Sequence, residues 1–206
     1  MKFLDIDRPI GQFLCKIGDI IILNFLWIIC SLPIITIGAS TSALYYTWMK
    51  QFRECDAPVY RYFLSSFRDN LGQSTIAWLI SLLMAAALIL DISFFQALDT
   101  NIGKICLYFF GILLIGFGLT MLYLFPTIAA FHATTIQHFK NAFIFAFSHP
   151  LATLLLCVST VIPVGLTYFE EIYFGIYLFC WVFFGIGLLS RFHSRILIKL
   201  FREYLE

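Results

Sequence analysis

Four uninterrupted apolar stretches, at residues 75–98, 105–131, 151–169 and 172–190, constrain this chain more than anything else in it. Each approaches or exceeds the roughly 20 residues that a helix rising about 1.5 Å per residue needs to cross about 30 Å of hydrocarbon. An open sheet there would leave backbone groups with neither water nor a partner, so the stretches are read as helices. Composition agrees: 61% of the 206 residues are hydrophobic and 12% charged, against roughly 45–50% and 25% in a soluble domain. With 24 Phe, 10 Tyr and 4 Trp, the chain carries more apolar surface than one core of this size can hide. The excess has to face lipid. A disordered chain, a secreted disulfide scaffold and a nucleic-acid binder with a strong basic field are excluded. The six cysteines (Cys15, Cys30, Cys55, Cys106, Cys157, Cys180) show no C-x-x-C and no metal spacing, and read as small hydrophobes.

A further apolar block, 17–49, is too long for one upright helix. Its centre reads S-L-P-I-I-T-I-G-A-S-T-S. Pro33 removes a helix donor and clashes with the preceding turn. Gly38 adds backbone freedom. Thr36, Ser40 and Thr41 suit the start of a new helix. The block therefore divides into 17–32 and 36–49, with 33–38 expected to be non-helical and its free backbone groups satisfied by Thr36, Ser40, water or neighbouring helices. The first half is about 24 Å long and the second shorter, so each crosses only with local thinning of the bilayer.

Basic residues decide between a kinked single span and a tight pair, because Lys and Arg stay on the cytoplasmic side. In the pair reading, Lys2, Arg8, Lys16, Lys50, Arg53, Arg61, Arg68, Lys140, Arg191, Arg195, Lys199 and Arg202 all lie inside. Of the 13 basic residues only Lys104 lies outside. The single-span reading moves Lys2, Arg8 and Lys16 outside. The pair fits better and gives both termini a cytoplasmic position. The competing reading is a five-span chain with its N-terminus out. A cleaved signal peptide is opposed by Asp5, Asp7 and Asp19. The expected fold is all-α: one polytopic membrane domain over 1–206, with about six segments, the first two a Pro/Gly-broken pair.

Three inner segments read as short amphipathic helices, which lie in the headgroup plane, the preferred reading, or dock a cytoplasmic partner protein. In the first, Asp7 caps a helix with Pro9 in its first turn, and Ile10, Phe13, Leu14 and Ile17 oppose Gln12, Lys16 and Asp19. In 58–70, Tyr60, Phe63, Leu64 and Phe67 oppose Arg61, Ser65 and Arg68. In the tail, Arg191, Arg195, Lys199 and Arg202 form one stripe flanked by Phe192, Ile196, Leu200 and Tyr204. A weak echo at an offset of 80 aligns Leu44 and Thr47 with Leu124 and Thr127, and Phe63, Phe67 and Leu71 with Phe143, Phe147 and Leu151.

Several blocks resemble the YesL-like family of bacterial membrane proteins. They are L-N-F-L-W-I-I-C-S-L-P-I-I-T-I-G-A-S-T-S-A-L-Y-Y, then F-L-S-S-F-R-D-N-L-G-Q-S-T-I-A-W-L-I from Phe63, then L-Y-L-F-P-T-I-A-A-F from Leu122 and its continuation H-F-K-N-A-F-I-F-A-F-S-H-P-L-A-T-L-L-L. The match runs in order over nearly the whole chain. One departure is Ala130, where the family pattern leads one to expect Arg. The resemblance implies a small multi-span protein of the bacterial plasma membrane with no established activity, often encoded beside carbohydrate uptake and breakdown systems. It offers no catalytic residues to carry over.

Few residues hold out chemistry. Asp91 sits about 10 Å from the outer end of its span, and an intramembrane carboxylate is a functional-site candidate by default. The competing reading, which is preferred, is that it lies shallow enough to meet water or Lys104. The break at Pro33, Thr36, Gly38 and Ser40 could aim free N–H groups at a ligand, as broken transporter helices do. Close packing through the small pairs Gly38 with Ser42 and Ala39 with Ala43 is the preferred reading. Asn24 is expected to hydrogen-bond between helices. His132, His138, His149 and His193 fit no metal pattern and read as surface or interfacial. No catalytic or cofactor fingerprint is found, so no catalytic, cofactor-binding or metal residue is expected and no cofactor. Beyond the lipid bilayer, the expected partner is a sugar uptake permease or other membrane protein, not nucleic acid. Three functions compete: a non-catalytic accessory component linked to carbohydrate uptake, a small transporter or channel using the broken pair and Asp91, and a membrane enzyme. The accessory reading is preferred.

Overall fold

A computed structural model describes residues 9–53, 58–98 and 100–205. The described residues are helical almost throughout and contain no strand. In chain order the helices are α1 (Pro9–Ser31), α2 (Ile37–Arg53), α3 (Val59–Ala97), α4 (Asn101–Ala130), α5 (Thr135–Ser148), α6 (Pro150–Phe169), α7 (Phe174–Cys180) and α8 (Ile186–Leu205). A 3-10 turn, Ile34–Thr36, joins α1 to α2. A second, Glu171–Tyr173, precedes α7, and a π turn, Trp181–Gly185, joins α7 to α8.

Five helical runs are long and apolar enough to cross a membrane: Leu14–Ser31, Val59–Ala97, Asn101–Ala130, Pro150–Phe169 and Phe174–Arg202. Their outward surface stays apolar. Leu83, Ile102 and Leu151 are 72%, 74% and 78% exposed, which water would penalise and lipid accommodates.

The helix outside that group, α2, has 17 residues and is the centre of the molecule. It packs against α1, α3, α4 and α8. Gly38, Ala39, Ser40, Ser42, Ala43, Leu44, Thr47, Trp48 and Met49 are all buried. Small residues let neighbouring backbones close in, and each hydroxyl finds a carbonyl or another hydroxyl. Ser40 donates to Thr36 O, Thr41 to Ile37 O and Thr47 to Ala43 O, while Ser42 and Ser74 bond across α2 and α3 at 2.9 Å. A helix enclosed by protein needs neither the length nor the apolarity of a lipid-facing one.

Around α2 lie two clusters of buried side chains. One joins α1, α2 and α3 through Leu23, Leu44, Trp48, Val59 and Phe63. The other joins α4, α5, α6 and α8 through Tyr123, Phe145, Leu156, Leu197 and Phe201. Helix α5 folds back along α4, with Phe145 against both Tyr123 and Phe131. Pro150 opens α6 at its first turn, where a missing N–H costs nothing.

Two expectations about the inner segments are corrected. The 58–70 stretch is no separate headgroup helix: α3 runs unbroken from Val59 to Ala97, and Phe63 is fully buried against α2. The tail likewise continues the last membrane run, because α8 starts at Ile186 inside the apolar stretch. Each segment packs part of its apolar face on protein, through Phe63 in the one and Leu200 in the other. The proposed cap Asp7, with Lys2, Asp5, Arg8, Cys55, Asp99 and both chain ends, lies outside the described residues, as do the side chains of Ile10, Gln12 and Phe13.

The echo at an offset of 80 has partial structural content. Leu44 and Leu124 are both fully buried, and so are Thr47 and Thr127. Farther along, Phe63 is buried while Phe143 is 55% exposed, so the two copies use their second helices differently.

Candidate functional site

The sequence-selected residues other than Asp91 fall at two irregular joints. The first is the α1–α2 break. Leu32 and Pro33 bend the chain, and Pro33, extended at φ −74° and ψ 110°, precedes the 3-10 turn. The break is narrower than 33–38: the α-helix resumes at Ile37, and Gly38 lies inside α2. Thr36, Ser40 and Thr41 do not cap α2 through their side chains, which corrects that expectation. The Thr36 hydroxyl lies 2.7 Å from both Cys30 O and Pro33 O, so it closes the end of α1. Trp78 Nε1 reaches from α3 to donate to Ile34 O at 2.9 Å. Trp27 Nε1 donates to Thr41 Oγ1 at 3.1 Å, tying α1 to α2 across the bend.

Gly38 supports the packing reading of its position. A Cβ there would lie 2.5 Å from Ser74 O, 2.7 Å from Trp78 Cβ and 2.9 Å from Phe125 Cε1. The space beside it is filled by α3 and α4.

The second joint is the π turn, which the sequence reading did not foresee. A π turn shifts the hydrogen-bond register by one residue and leaves backbone groups without helical partners. Asn24, fully buried on α1, supplies them. Its Nδ2 donates to Trp181 O at 3.0 Å and Val182 O at 2.6 Å, and its Oδ1 accepts from Gly187 N–H at 2.9 Å. One side-chain amide thus fills the defect, and the expected interhelical bonder has a definite task. Glycine makes the approach possible. A Cβ on Gly187 would stand 2.7 Å from Ile20 O, and one on Gly185 would enter the Trp181 ring. That ring is itself anchored, with Nε1 donating to Thr167 Oγ1 at 2.9 Å.

Below this joint a polar chain crosses three helices. His193 on α8 is 2% exposed, with Nδ1 3.1 Å from the Tyr45 hydroxyl of α2 and Nε2 2.8 Å from Ser159 Oγ of α6. Ser159 also donates to Leu156 O at 3.0 Å. Every donor is satisfied when Tyr45 donates to Nδ1 and a neutral ring donates from Nε2 to Ser159. One turn away, Trp48 Nε1 donates to Ser190 Oγ at 3.0 Å, and Ser190 donates to Gly187 O.

His193 is therefore no surface histidine, and neither is His138. The helix does not stop at 190, so a 3.6-residue period places Ser190, His193, Ser194 and Leu197 on the inward face, opposite the Arg191, Arg195 and Lys199 stripe. His138 shares the inward face of α5 with Ala142, Phe145 and Ala146. Both of its ring nitrogens are buried. Burial foremost, and then the neighbouring His132, lower its pKa below the usual histidine value, while the Ala133 backbone opposes them.

Asp91 stands apart from both joints. It is half-buried on α3, six residues and about 9 Å before Ala97. Ala130 lines a small pocket of about 160 Å³ with Lys50 and Arg53 of α2, so two cations already stand where a third was expected from position 130. Among the described residues no group of three or more His, Cys, Asp or Glu is placed to hold a metal ion, and Cys15, Cys30, Cys106, Cys157 and Cys180 are free.

The fold and its two joints define a class, an all-α polytopic protein of membrane type. Two comparisons relate the chain to known proteins. The model of a family described as "Protein of unknown function, DUF624" matches residues 20–92, the stretch that holds Asn24, Pro33, Thr36, Gly38, Ser40 and Asp91. The chain is also similar to "Uncharacterized protein YesL" of Bacillus subtilis (strain 168), with 28% identity over 204 residues covering 96% of this chain and 92% of that protein. These matches support a YesL-like family of unknown function, as the sequence blocks around Pro33 and Phe63 imply. No solved structure matches.

Proposed function

We propose that this protein is a non-catalytic accessory or regulatory component of a bacterial plasma membrane, holding a partner by its outer surfaces, and that the partner is the permease of a sugar uptake system. One observation supports the accessory part above all. Many polar side chains of the interior are committed to helix-to-helix bonds: Asn24 to the π turn, Tyr45 and Ser159 to His193, Ser42 to Ser74, and Thr36 to the end of α1. Groups so engaged build a rigid body rather than a reaction site. The link to sugar uptake rests on the genomic neighbourhood that the family resemblance implies.

The test is affinity purification from native membranes after gentle solubilisation. A permease recovered in stoichiometric amount supports the reading. Solute flux in proteoliposomes containing this chain alone overturns it in favour of a transporter. The same proposal places both termini in the cytoplasm, since that orientation leaves only Lys104 outside. Reporter fusions at Met1 and Glu206 should be active inside. An N-terminal fusion active only outside the cell restores the five-span alternative.

A further inference from the structure

A cavity of about 570 Å³ opens where the ends of α2 and α8 meet the corner between α5 and α6. Phe52, His149, Arg195 and Lys199 line it together with the aliphatic side chains of α8. Arg195 and Lys199 lie one turn apart on the exposed face of α8, so both cations address the same space. The Arg195 guanidinium rests over the Phe52 ring at 5.6 Å from its centroid, and Arg191 covers the same ring at 5.9 Å and Trp48 at 4.9 Å. Stacking on aromatic faces holds these cations in place before any anion arrives. Among the described residues no carboxylate lines the cavity. His149 adds an independent sign: its Nε2 is buried and has no hydrogen-bond partner. The two large apolar grooves elsewhere differ. That between α6 and the α7–α8 run, about 720 Å³, has no charged residue on its walls, and that between α3, α4 and α5, about 840 Å³, has Lys140 alone.

We infer that this cavity is a binding site for a phosphate group, with Arg195 and Lys199 as its cationic contacts, His149 as an added polar wall and Phe52 as its aromatic floor. Arg presents a planar fork of donors suited to phosphate oxygens, and Lys a mobile point charge beside it. The phosphate can belong to a lipid headgroup or to a soluble phosphate compound. The site needs neither the accessory reading nor a given orientation in the membrane.

The experiment uses the full chain purified in a neutral detergent, with binding read by native mass spectrometry and by thermal shift. One arm adds phosphatidylglycerol, with phosphatidylcholine of the same acyl chains as the uncharged comparison. The other adds inorganic phosphate and glycerol 3-phosphate. Retention of phosphatidylglycerol without response to the soluble probes assigns a lipid headgroup, and response to the soluble probes assigns a free phosphate compound. In either case the double variant Arg195→Gln, Lys199→Gln should weaken binding about thirtyfold, as expected for two lost cations at an interface. The control is Arg61→Gln, Arg68→Gln, which removes the same charge from the exposed face of α3 and should bind as the unmodified protein does. The inference is overturned if the unmodified protein binds none of the anionic probes, if the α8 variant binds as well as it does, or if the α3 variant loses as much.

Discussion

The break between α1 and α2 and the π turn between α7 and α8 are both departures from regular helix, and both adjoin α1. They differ in where their cause lies. The break is local: Pro33 lacks the N–H, and Thr36, three residues on, recaptures the loose carbonyls. The π turn is supported from elsewhere. Asn24, more than 150 residues away in sequence, bonds Trp181 O, Val182 O and Gly187 N–H. A defect written in its own sequence survives the loss of a neighbour. A defect supported by a distant side chain does not.

That contrast orders the mutations. Asn24→Ala should cost most, since it removes bonds to two part-buried carbonyls and one buried N–H, and a buried group left unpaired costs about 1–3 kcal/mol. Thermal unfolding in detergent checks it, and a melting temperature unchanged by Asn24→Ala would remove the distant support from the account. Glycine replacement comes next. Gly38→Ala and Gly187→Ala each push a methyl into a neighbouring backbone carbonyl, at 2.5 Å and 2.7 Å, and should cost about 1–3 kcal/mol by overpacking. Gly18, with nothing within 4 Å, is the internal control. Gly18→Ala should be neutral or stabilising by up to about 1 kcal/mol. Equal losses at all three glycines would mean that helix approach is not what these positions serve.

The sequence shows half of this comparison. Proline and a following Thr are local signals, so the break and its approximate position are readable. The four long apolar stretches also became helices, because length and apolarity act through the bilayer and need no partner. What could not be read depends on contact. Asn24 announced a hydrogen bond, but nothing nearby named the π turn as its target. The pair Gly185 and Gly187 was the available hint of close approach to α1. His138 and His193 read as surface or interfacial as long as the span ends at 190 and α5 is not known to be packed. A helical period carried through Ser190, His193, Ser194 and Leu197 would have turned His193 inward. The central place of α2 is hidden for the same reason, since its serines and threonines look weakly apolar until four other helices enclose them.

The local joint should respond less. Thr36→Val removes one hydroxyl proton shared between Cys30 O and Pro33 O, and should cost about 1 kcal/mol while leaving the break in place. A continuous helix across 24–46 in this variant would show that Thr36, and not Pro33, makes the break. Asp91→Asn should have the smallest effect. It is remote from both joints, so a shift within about 0.5 kcal/mol and normal yield are expected. Loss of a measurable solute uptake in reconstituted Asp91→Asn protein, at normal yield and stability, would raise the transporter reading above the accessory one.

Hydrogen–deuterium exchange on the full chain in detergent tests the central contrast most directly, comparing the unmodified protein with Asn24→Ala. The account predicts that protection falls across Trp181–Gly185 and at Gly187, and in the facing turn of α1, while the Ile34–Thr36 turn and the α3–α5 helices keep theirs. Unchanged protection at residues 181–187, or a loss spread evenly over all helices, would contradict it.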